Sequence, residues 1–221
     1  MLVQPWDAAL NAAEWQDWLR STDRFGVLAV NNLDRAQAPV AVPTHFTVAG
    51  DELLVHLARV NPVWPHLEAS AEVRLVVTGD YAYVPAYWRG KDGEPAEHGV
   101  PTSYYAAVQF RCRPMVVDDP EGKAEILTAQ LTEFQPEGRY GAVAPDEPPY
   151  GRMLPGIRGL RLAVLGVDAK FKYDDHKPVE HRERVIGHLE DRGRGLDAAA
   201  ARQQRRRLDA MGDWRAARDR T

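Results

Sequence analysis

The feature that most restricts the fold is a series of short apolar segments in the first 84 residues, each followed by a small turn. The segments have lengths typical of β-strands, and they lie at residues 26–30, 39–48, 53–57, 72–78 and 81–84. Turn-forming pairs such as Gly79-Asp80 separate them. Short strands joined by small turns are typical of an antiparallel barrel or sandwich, and they disfavour alternating β/α units.

The rest of the chain adds two strands and several helices to this body. Strand-like runs cover residues 105–117 and 160–164, and helical patterns cover residues 10–20, 118–134 and 178–189. Asp119 followed by Pro120 is a typical helix start. The apolar residues behind it form a stripe at Ala124, Leu127, Leu131 and Phe134. We therefore expect a β body with peripheral helices.

Composition and charge exclude several classes of protein. The 221 residues are 44% hydrophobic and 27% charged, a balance that supports a globular core. A net charge of −4 argues against a body that holds nucleic acid by charge alone. The one cysteine, Cys112, rules out an internal disulfide and fits a reducing compartment. With no signal-peptide pattern and no apolar run of membrane-spanning length, the expected location is the cytoplasm.

No familiar catalytic or metal-binding motif is present. None of the three serines lies in a G-x-S-x-G turn, and the histidines form no H-E-x-x-H pair. Phosphate-binding loops of the G-x-x-x-x-G-K-[ST] and G-x-G-x-x-G types are also missing. The sequence therefore predicts no metal site and assigns no catalytic residue.

The segment HLARVNPVW, residues 56–64, joins two strand signals in an unusual way. Pro62 suits the first position of a short helix, with Asn61 as its cap. Free amides at such a helix start, together with the Arg59 guanidinium, form a candidate site for an anion such as a phosphate. A simple helix cap beside a surface arginine explains the same residues, and residue types alone favour that simpler interpretation.

The same segment resembles the signature of the PaiB family, described as FMN-binding negative transcriptional regulators. Four further stretches resemble that family in the same order: PTHF at 43–46, YAYVPAYW at 81–88, VPTSYYAA at 100–107 and KFKYDDHKPVEHRERV at 170–185. PaiB proteins are similar to the FMN-binding split-barrel flavoproteins, which are usually homodimers with flavin at the subunit interface. The resemblance implies a mainly β, α+β fold: a split β-barrel of six to seven antiparallel strands with peripheral helices.

The resemblance also implies FMN as cofactor and a set of cofactor-binding residues. These are Thr44, His45, His56, Ala58, Arg59, Asn61, Tyr83, Trp88, Lys170 and Lys172. Lys170 and Lys172 alternate around Phe171, so they point the same way and suit a phosphate. Alternatives remain for each kind of residue: a histidine satisfied within the barrel, an aromatic ring that packs a core, and a strand edge guarded by lysines.

The sequence departs from the family pattern at three places. Ser103 and Tyr104 stand where the family has tryptophan and asparagine, and residues 173–176 (YDDH) replace a polar turn that contains asparagine. Pro85 and Ala86 replace a serine-proline order. If these positions contact flavin, the resemblance implies weak binding or none.

The last 24 residues, 198–221, differ in composition from the rest of the chain. They contain seven arginines and three aspartates, a net charge of +4, which leaves −8 on the remainder. We predict one domain over residues 1–196 and an Arg-rich helical extension over 197–221. A solvated surface helix is one interpretation of the extension, and a DNA contact is another.

Three functions are compatible with the sequence. The first is a PaiB-like FMN-binding protein that acts as a homodimeric negative regulator. The second is a flavin- or haem-dependent oxidoreductase of the pyridoxamine-oxidase-like class. The third is a dimeric regulator without a cofactor. The sequence does not name a DNA site, a substrate or a redox partner.

Overall fold

The computed structural model describes residues 1–91 and 93–211, and within them seven strands form one sheet. The strands are β1 (Phe25–Val30), β2 (Val40–His45), β3 (Thr47–Ala49), β4 (Glu52–Ala58), β5 (Val73–Val84), β6 (Thr102–Val117) and β7 (Ile157–Lys172). Their order across the sheet is β2-β1-β5-β6-β7-β4-β3. The pairs β1–β2, β1–β5, β3–β4 and β4–β7 are antiparallel. The predicted strand number is confirmed.

The two edge strands of the sheet, β2 and β3, are consecutive in the chain. Only Phe46 separates them, and its backbone N–H donates to the Arg24 carbonyl at 3.1 Å. The predicted single strand over 39–48 is therefore two strands, because the chain changes its pairing partner from β1 to β4 at this residue. Phe46 is fully buried, with its ring 6.3 Å from that of Phe110. This change of partner links the two edges of the sheet, as closure into a barrel requires.

A second difference from prediction concerns β5, which continues through the expected turn at Gly79-Asp80. Asp80 has a φ of +48°, a conformation that residues other than glycine adopt rarely. Its carboxylate accepts a hydrogen bond from Trp18 Nε1 at 2.8 Å, and its carbonyl accepts one from the Tyr173 hydroxyl at 2.9 Å. These two contacts hold the strained residue within the strand, so the runs 72–78 and 81–84 form one element.

In the described residues five α-helices accompany the sheet: α1 (Ala12–Arg20), α2 (Trp64–Ala69), α3 (Pro120–Phe134), α4 (Val179–Arg192) and α5 (Asp197–Met211). The predicted start of α3 is confirmed, because Asp119 Oδ1 accepts a hydrogen bond from the Gly122 amide at 2.7 Å. Helix α4 ends at Gly193, whose φ of +55° is the left-handed conformation common after a helix.

The buried face of α3 differs from the predicted apolar stripe. Ala124 and Ile126 are buried with two polar residues, Lys123 and Gln130, whereas Phe134 is exposed. The polar pair is tolerated because both side chains donate to backbone carbonyls, Lys123 to Leu154 at 2.8 Å and Gln130 to Leu54 at 3.3 Å. The remaining members of the predicted stripe line a groove instead of the core.

The chain divides into two compact units. The first contains Met1–Trp18, Thr78–Val108 and the described residues from Asp168 onward, and the second contains Leu19–Val77 and Gln109–Val167. In the second unit, Leu54, Val117 and Ile126 form an apolar cluster beneath α3. The close packing of such clusters provides much of the stability of a domain of this size.

In the first unit, α4 packs against α5, and a buried ion-pair cluster accompanies them. Arg207 Nε contacts Asp175 Oδ2 at 2.5 Å, and Arg207 Nη1 contacts Glu14 Oε1 at 2.7 Å. Arg182 contacts Asp175 Oδ1 at 2.7 Å. The interpretation of the C-terminal arginines as a solvated face is wrong for Arg207, because buried carboxylates replace its water. The domain division after residue 196 stays a prediction, and residues 212–221 of the predicted extension lie outside the described residues.

Candidate functional site

The second unit contains a groove where β2 ends beside α3. Its volume is about 510 Å³, within the range of roughly 300–1,000 Å³ for small-molecule sites. We call it the His45–His56 groove, and its lining is Phe25, Pro43, Thr44, His45, His56, Leu127, Gln130, Leu131, Phe134 and Gln135. Three of the ten predicted cofactor residues, Thr44, His45 and His56, therefore lie together.

Strand register explains why the two histidines meet. Phe25 of β1 is the partner of His45, the last residue of β2. The β3–β4 register pairs Thr47 with Leu54, so β3 begins beside the strand that carries His56, and both histidines line the groove. The change of pairing partner at Phe46 therefore brings the ends of two sequence motifs to one place.

Three rings form one wall of the groove. The His45 ring lies 4.8 Å from that of Phe25 and 5.2 Å from that of Phe134, both in edge-on geometry. Phe25 is 50% exposed and Phe134 is 38% exposed. A contiguous exposed aromatic surface in a concave site usually marks a ligand or a partner.

The groove lining also includes a hydrogen-bonded polar pair, His56 and Gln130. His56 Nδ1 lies 2.5 Å from Gln130 Oε1, and Gln130 Nε2 donates to the Leu54 carbonyl at 3.3 Å. Gln130 is buried, and His56 is half-buried. At the rim, Arg24 forms an ion pair with Glu133. The groove thus combines an aromatic wall with fixed polar groups, as flat heteroaromatic ligands require.

Arg59 is engaged by the protein. Its Nε donates to the Pro155 carbonyl at 2.8 Å, and its backbone N–H donates to the Gly156 carbonyl at 2.9 Å. Lys123 Nζ donates to the preceding carbonyl, that of Leu154. Three consecutive carbonyls at the end of the irregular connection are therefore held by Arg59 and Lys123, which gives Arg59 an anchoring role.

A carboxylate also lies beside Arg59. Asp118 Oδ1 is 3.6 Å from its Nη2, and hydrogen bonds from Arg158 lower the pKa of that carboxyl, with Arg59 adding to the effect. A negative charge at this distance reduces the local attraction for a phosphate.

The predicted helix start at Pro62 is wrong. Helix α2 begins at Trp64, and Asn61 Oδ1 accepts a hydrogen bond from the Val63 amide at 3.0 Å. The Ala58 carbonyl accepts from Trp64 Nε1 at 2.9 Å. The chain forms a local turn before the helix because this asparagine and the tryptophan satisfy its backbone groups.

The aromatic candidates Tyr83 and Trp88 belong to the first unit. Trp88 is buried, stacks on His188 at 5.0 Å, and lies 4.5 Å from the Arg192 guanidinium. Tyr83 exposes its ring, while its carbonyl accepts from Arg192 Nη2 at 2.9 Å. For Trp88, the structure supports the alternative of core packing.

The two lysine candidates share one side of β7, as their alternation predicts. Lys170 Nζ lies 5.5 Å and Lys172 Nζ 5.9 Å from the centre of the Tyr105 ring. Lys170 is buried, donates to the Leu2 carbonyl at 2.9 Å and lies 3.6 Å from Asp7. Lys172 is half-buried and donates to Thr102 Oγ1 at 2.9 Å.

Two of the departures from the family pattern contact each other in the first unit. The fully buried Tyr104 donates its hydroxyl hydrogen to Asp174 Oδ2 at 3.0 Å and accepts from Gln204 Nε2 at 3.1 Å. Arg89 Nε and Nη2 also donate to this carboxylate, at 3.0 and 2.8 Å. Although burial acts in the opposite direction, the nearby His181 ring, at 3.5 Å, and the hydrogen bonds from Arg89 and Tyr104 lower the pKa of Asp174 to about 2. Tyr104 is therefore a core residue.

Sequence reasoning missed the groove residues Phe25, Gln130 and Phe134. Phe134 was assigned to a core stripe, and a glutamine within a helix carries no pattern that marks a site. Among residues 1–91 and 93–211, no group of three His, Cys, Asp or Glu side chains is arranged to hold a metal ion. None of the helices in this part of the chain is long and apolar enough to cross a membrane.

Comparison with known proteins identifies the relatives of this chain. Residues 1–165 match the sequence model of the family described as "Putative FMN-binding domain". The chain is 24% identical over 198 residues to the "Protease synthase and sporulation protein PAI 2" of Bacillus subtilis, covering 86% of this chain and 90% of that protein.

Solved structures share the fold at low sequence identity. The flavocytochrome Anf3 of Azotobacter vinelandii has a TM-score of 0.58 at 17% identity, covering 77% of this chain and 72% of that one. The FAD and heme binding protein of Mycobacterium smegmatis has a TM-score of 0.56 at 20% identity, covering 74% and 72%. The predicted split-barrel fold is confirmed.

Proposed function

Because the chain belongs to the FMN-binding domain family that its first 165 residues match, we propose that it is a PaiB-like protein that holds FMN in the His45–His56 groove. The observation that carries this proposal is the groove itself, which is lined by three exposed rings and by the His56–Gln130 pair. FMN supplies a redox-active ring system when bound.

The groove residues fit the flavin ring in three respects. Phe25, His45 and Phe134 offer an aromatic wall against a flat ring and exclude water from that side. Thr44, which is buried, and His56 with Gln130 place polar groups at one edge. Leu127 and Leu131 of α3 add apolar contact.

The phosphate contact is a separate part of the proposal. In the unit that contains the groove the candidate is Arg59, with Ala58 and Asn61 beside it in the predicted motif. Lys170, Lys172, Tyr83 and Trp88 belong to the first unit and stay predicted cofactor residues. Each of the three cations already contacts protein groups, so a phosphate has to compete with a carbonyl, a carboxylate or a hydroxyl. We therefore expect the flavin ring, rather than the phosphate, to provide most of the affinity.

Titration of FMN into the purified protein, followed by flavin fluorescence and absorption, tests the proposal. Phe134→Ala and His45→Ala should each weaken binding by about 3- to 10-fold, since an aromatic contact contributes about 0.5–1.5 kcal/mol. Leu33→Ala is a matched control, because Leu33 is also an exposed apolar residue of the second unit and does not line this groove. Equal affinity of wild type and all three variants would place the flavin elsewhere.

We further propose that the protein acts as a homodimer and as a negative transcriptional regulator in the cytoplasm. The relation to the PAI 2 protein supports this, and so does the exposure of Tyr81, Tyr83 and Tyr87 in the first unit. Binding of the purified protein to a specific DNA sequence, without turnover of a substrate, would distinguish this function from that of an oxidoreductase.

A further inference from the structure

Gln130 is a buried residue of the His45–His56 groove, with both ends of its side-chain amide in contact with the protein. It belongs to α3, is only 6% exposed, and lies between the Leu54 carbonyl and the His56 ring. A buried amide with two fixed partners has one orientation, because reversing it would place a donor against a donor or an acceptor against an acceptor.

The orientation of the amide follows from the chemistry of Leu54. A backbone carbonyl only accepts hydrogen bonds, so the amide nitrogen of Gln130 must face it, 3.3 Å away. The amide oxygen then faces His56 Nδ1 at 2.5 Å. An oxygen that only accepts requires a hydrogen on that ring nitrogen.

We propose that Gln130 is a positioning residue that holds His56 in its Nδ1–H tautomer and leaves Nε2 as a hydrogen-bond acceptor toward the groove. The neutral imidazole has one donor and one acceptor nitrogen, so fixing the first determines the second. An unconstrained neutral histidine prefers the opposite tautomer, with its hydrogen on Nε2. The protein therefore selects the less common form at this position.

The tautomer determines which ligand group His56 accepts. A ligand N–H or O–H bonds to an Nε2 lone pair, whereas a carbonyl or phosphate oxygen does not, since two acceptors face each other. FMN carries two kinds of suitable donor, the imide N–H of its ring and the hydroxyls of its ribityl chain. This part of the inference rests on the proposed function, while the tautomer itself does not.

The tautomer is measured directly by nitrogen NMR on protein labelled with ¹⁵N-histidine, without FMN, at a pH where the ring is neutral. His56→Gln assigns the resonance. In the wild type, His56 should show its hydrogen on Nδ1. Gln130→Met should shift His56 toward the Nε2–H form, because methionine fills the volume without an acceptor oxygen.

Gln135→Met is the matched control, because Gln135 lines the same groove at the end of α3. It should leave the His56 tautomer unchanged. An Nε2–H tautomer in the wild type, or the same tautomer in wild type and Gln130→Met, overturns the inference. Thermal unfolding of each variant shows whether it has folded, and Gln130→Leu replaces a methionine variant that does not fold.

FMN analogues then identify the donor. If the imide N–H bonds to His56, methylation of that nitrogen should weaken binding to the wild type by about 5- to 10-fold, the value of one net hydrogen bond of about 1 kcal/mol. The same methylation should have no effect on Gln130→Met. If a ribityl hydroxyl is the donor, shortening the ribityl chain should show this pattern instead. If each analogue loses the same affinity for the wild type as for Gln130→Met, the assignment of an FMN donor to His56 is overturned. Failure of all FMN binding refutes the proposed function, while the NMR result still decides the tautomer.

Discussion

Replacement of Arg59 by alanine tests the role that the structure gives to the end of the irregular connection. The variant loses the hydrogen bond from Nε to the Pro155 carbonyl, but it keeps the backbone bond to the Gly156 carbonyl. Hydrogen bonds from charged donors contribute about 1.5–3 kcal/mol. The Arg59 side chain is 46% exposed, so water replaces part of this contact and the lower end applies. The Asp118 ion pair adds only about 0.2–1 kcal/mol, because both groups are half-exposed.

We therefore expect Arg59→Ala to lower the free energy of unfolding by about 1.7–2.5 kcal/mol. Urea denaturation measures this loss as a shift of the midpoint at constant slope. Arg59→Lys should recover only part of the loss, since an ammonium does not reproduce the planar guanidinium. Arg35→Ala, a substitution of an exposed arginine in the same unit, is the control and should change stability little.

Titration of FMN into the same variants measures the predicted phosphate contact separately. If Arg59 also binds phosphate, the alanine variant should bind FMN about 10- to 100-fold more weakly. Weaker binding together with lower stability gives Arg59 both roles, and unchanged affinity leaves the anchoring role alone. An unfolding midpoint equal to that of the wild type would refute the reasoning from the Pro155 contact.

The remaining predictions concern assembly and the C-terminus. The protein should sediment as a dimer at micromolar concentration, and a single monomeric species would contradict this. If the C-terminal segment of residues 198–221 contacts DNA, a chain that ends at Met211 keeps all of α5 and loses three of the seven arginines. It should bind DNA more weakly, and its logarithmic salt slope should be smaller by about 0.9 for each phosphate contact removed. Arg207→Leu should cost about 3 kcal/mol in unfolding free energy, because Asp175 and Glu14 stay buried and each keeps only one arginine, Arg182 and Arg206 respectively. The exposed Arg202→Leu, on the same helix, should cost little.

Local chemical patterns predicted the elements that depend on local interactions. The Asp119-Pro120 helix start appears in the structure as a side-chain cap, and the strand runs appear as strands. The break expected at Gly79-Asp80 does not occur, because the Asp80 carboxylate binds Trp18, which lies 62 positions away. A contact at that separation leaves no local signal in a single sequence.

The sequence predicted only those residues of the candidate site that lie in a family-like motif at the end of a strand. Thr44, His45 and His56 were identified from motif resemblance, and strand register brings them together. Gln130 was not identified, because its importance comes from two contacts to β4 that only packing creates. Burial of Arg207 was missed for the same reason, since Glu14 lies 193 positions away in the chain.

Tyr104 and Asp174 both differ from the family pattern, and the sequence alone implies weaker flavin binding if they contact the cofactor. In the structure they contact each other, so we expect each residue to compensate for the other. Because the two side chains share one buried hydrogen bond, a double-mutant cycle should show coupling. Tyr104→Phe should cost about 1–2 kcal/mol and Asp174→Asn about 2–4 kcal/mol, with the double variant less destabilised than their sum by about 1 kcal/mol.

The Asp174 carboxylate also predicts a pH dependence with a definite sign. Because its pKa is lowered to about 2 in the folded protein, its contribution to stability is complete above the ordinary carboxyl pKa. The contribution is lost as pH falls from about 5 toward 2. Asp174→Asn should remove that part of the acid dependence of the unfolding free energy while leaving FMN affinity unchanged, because the residue is buried outside the groove. A variant with normal stability but weaker FMN binding would instead place Tyr104 and Asp174 at the flavin. The differences from the family pattern at these positions would then affect cofactor affinity.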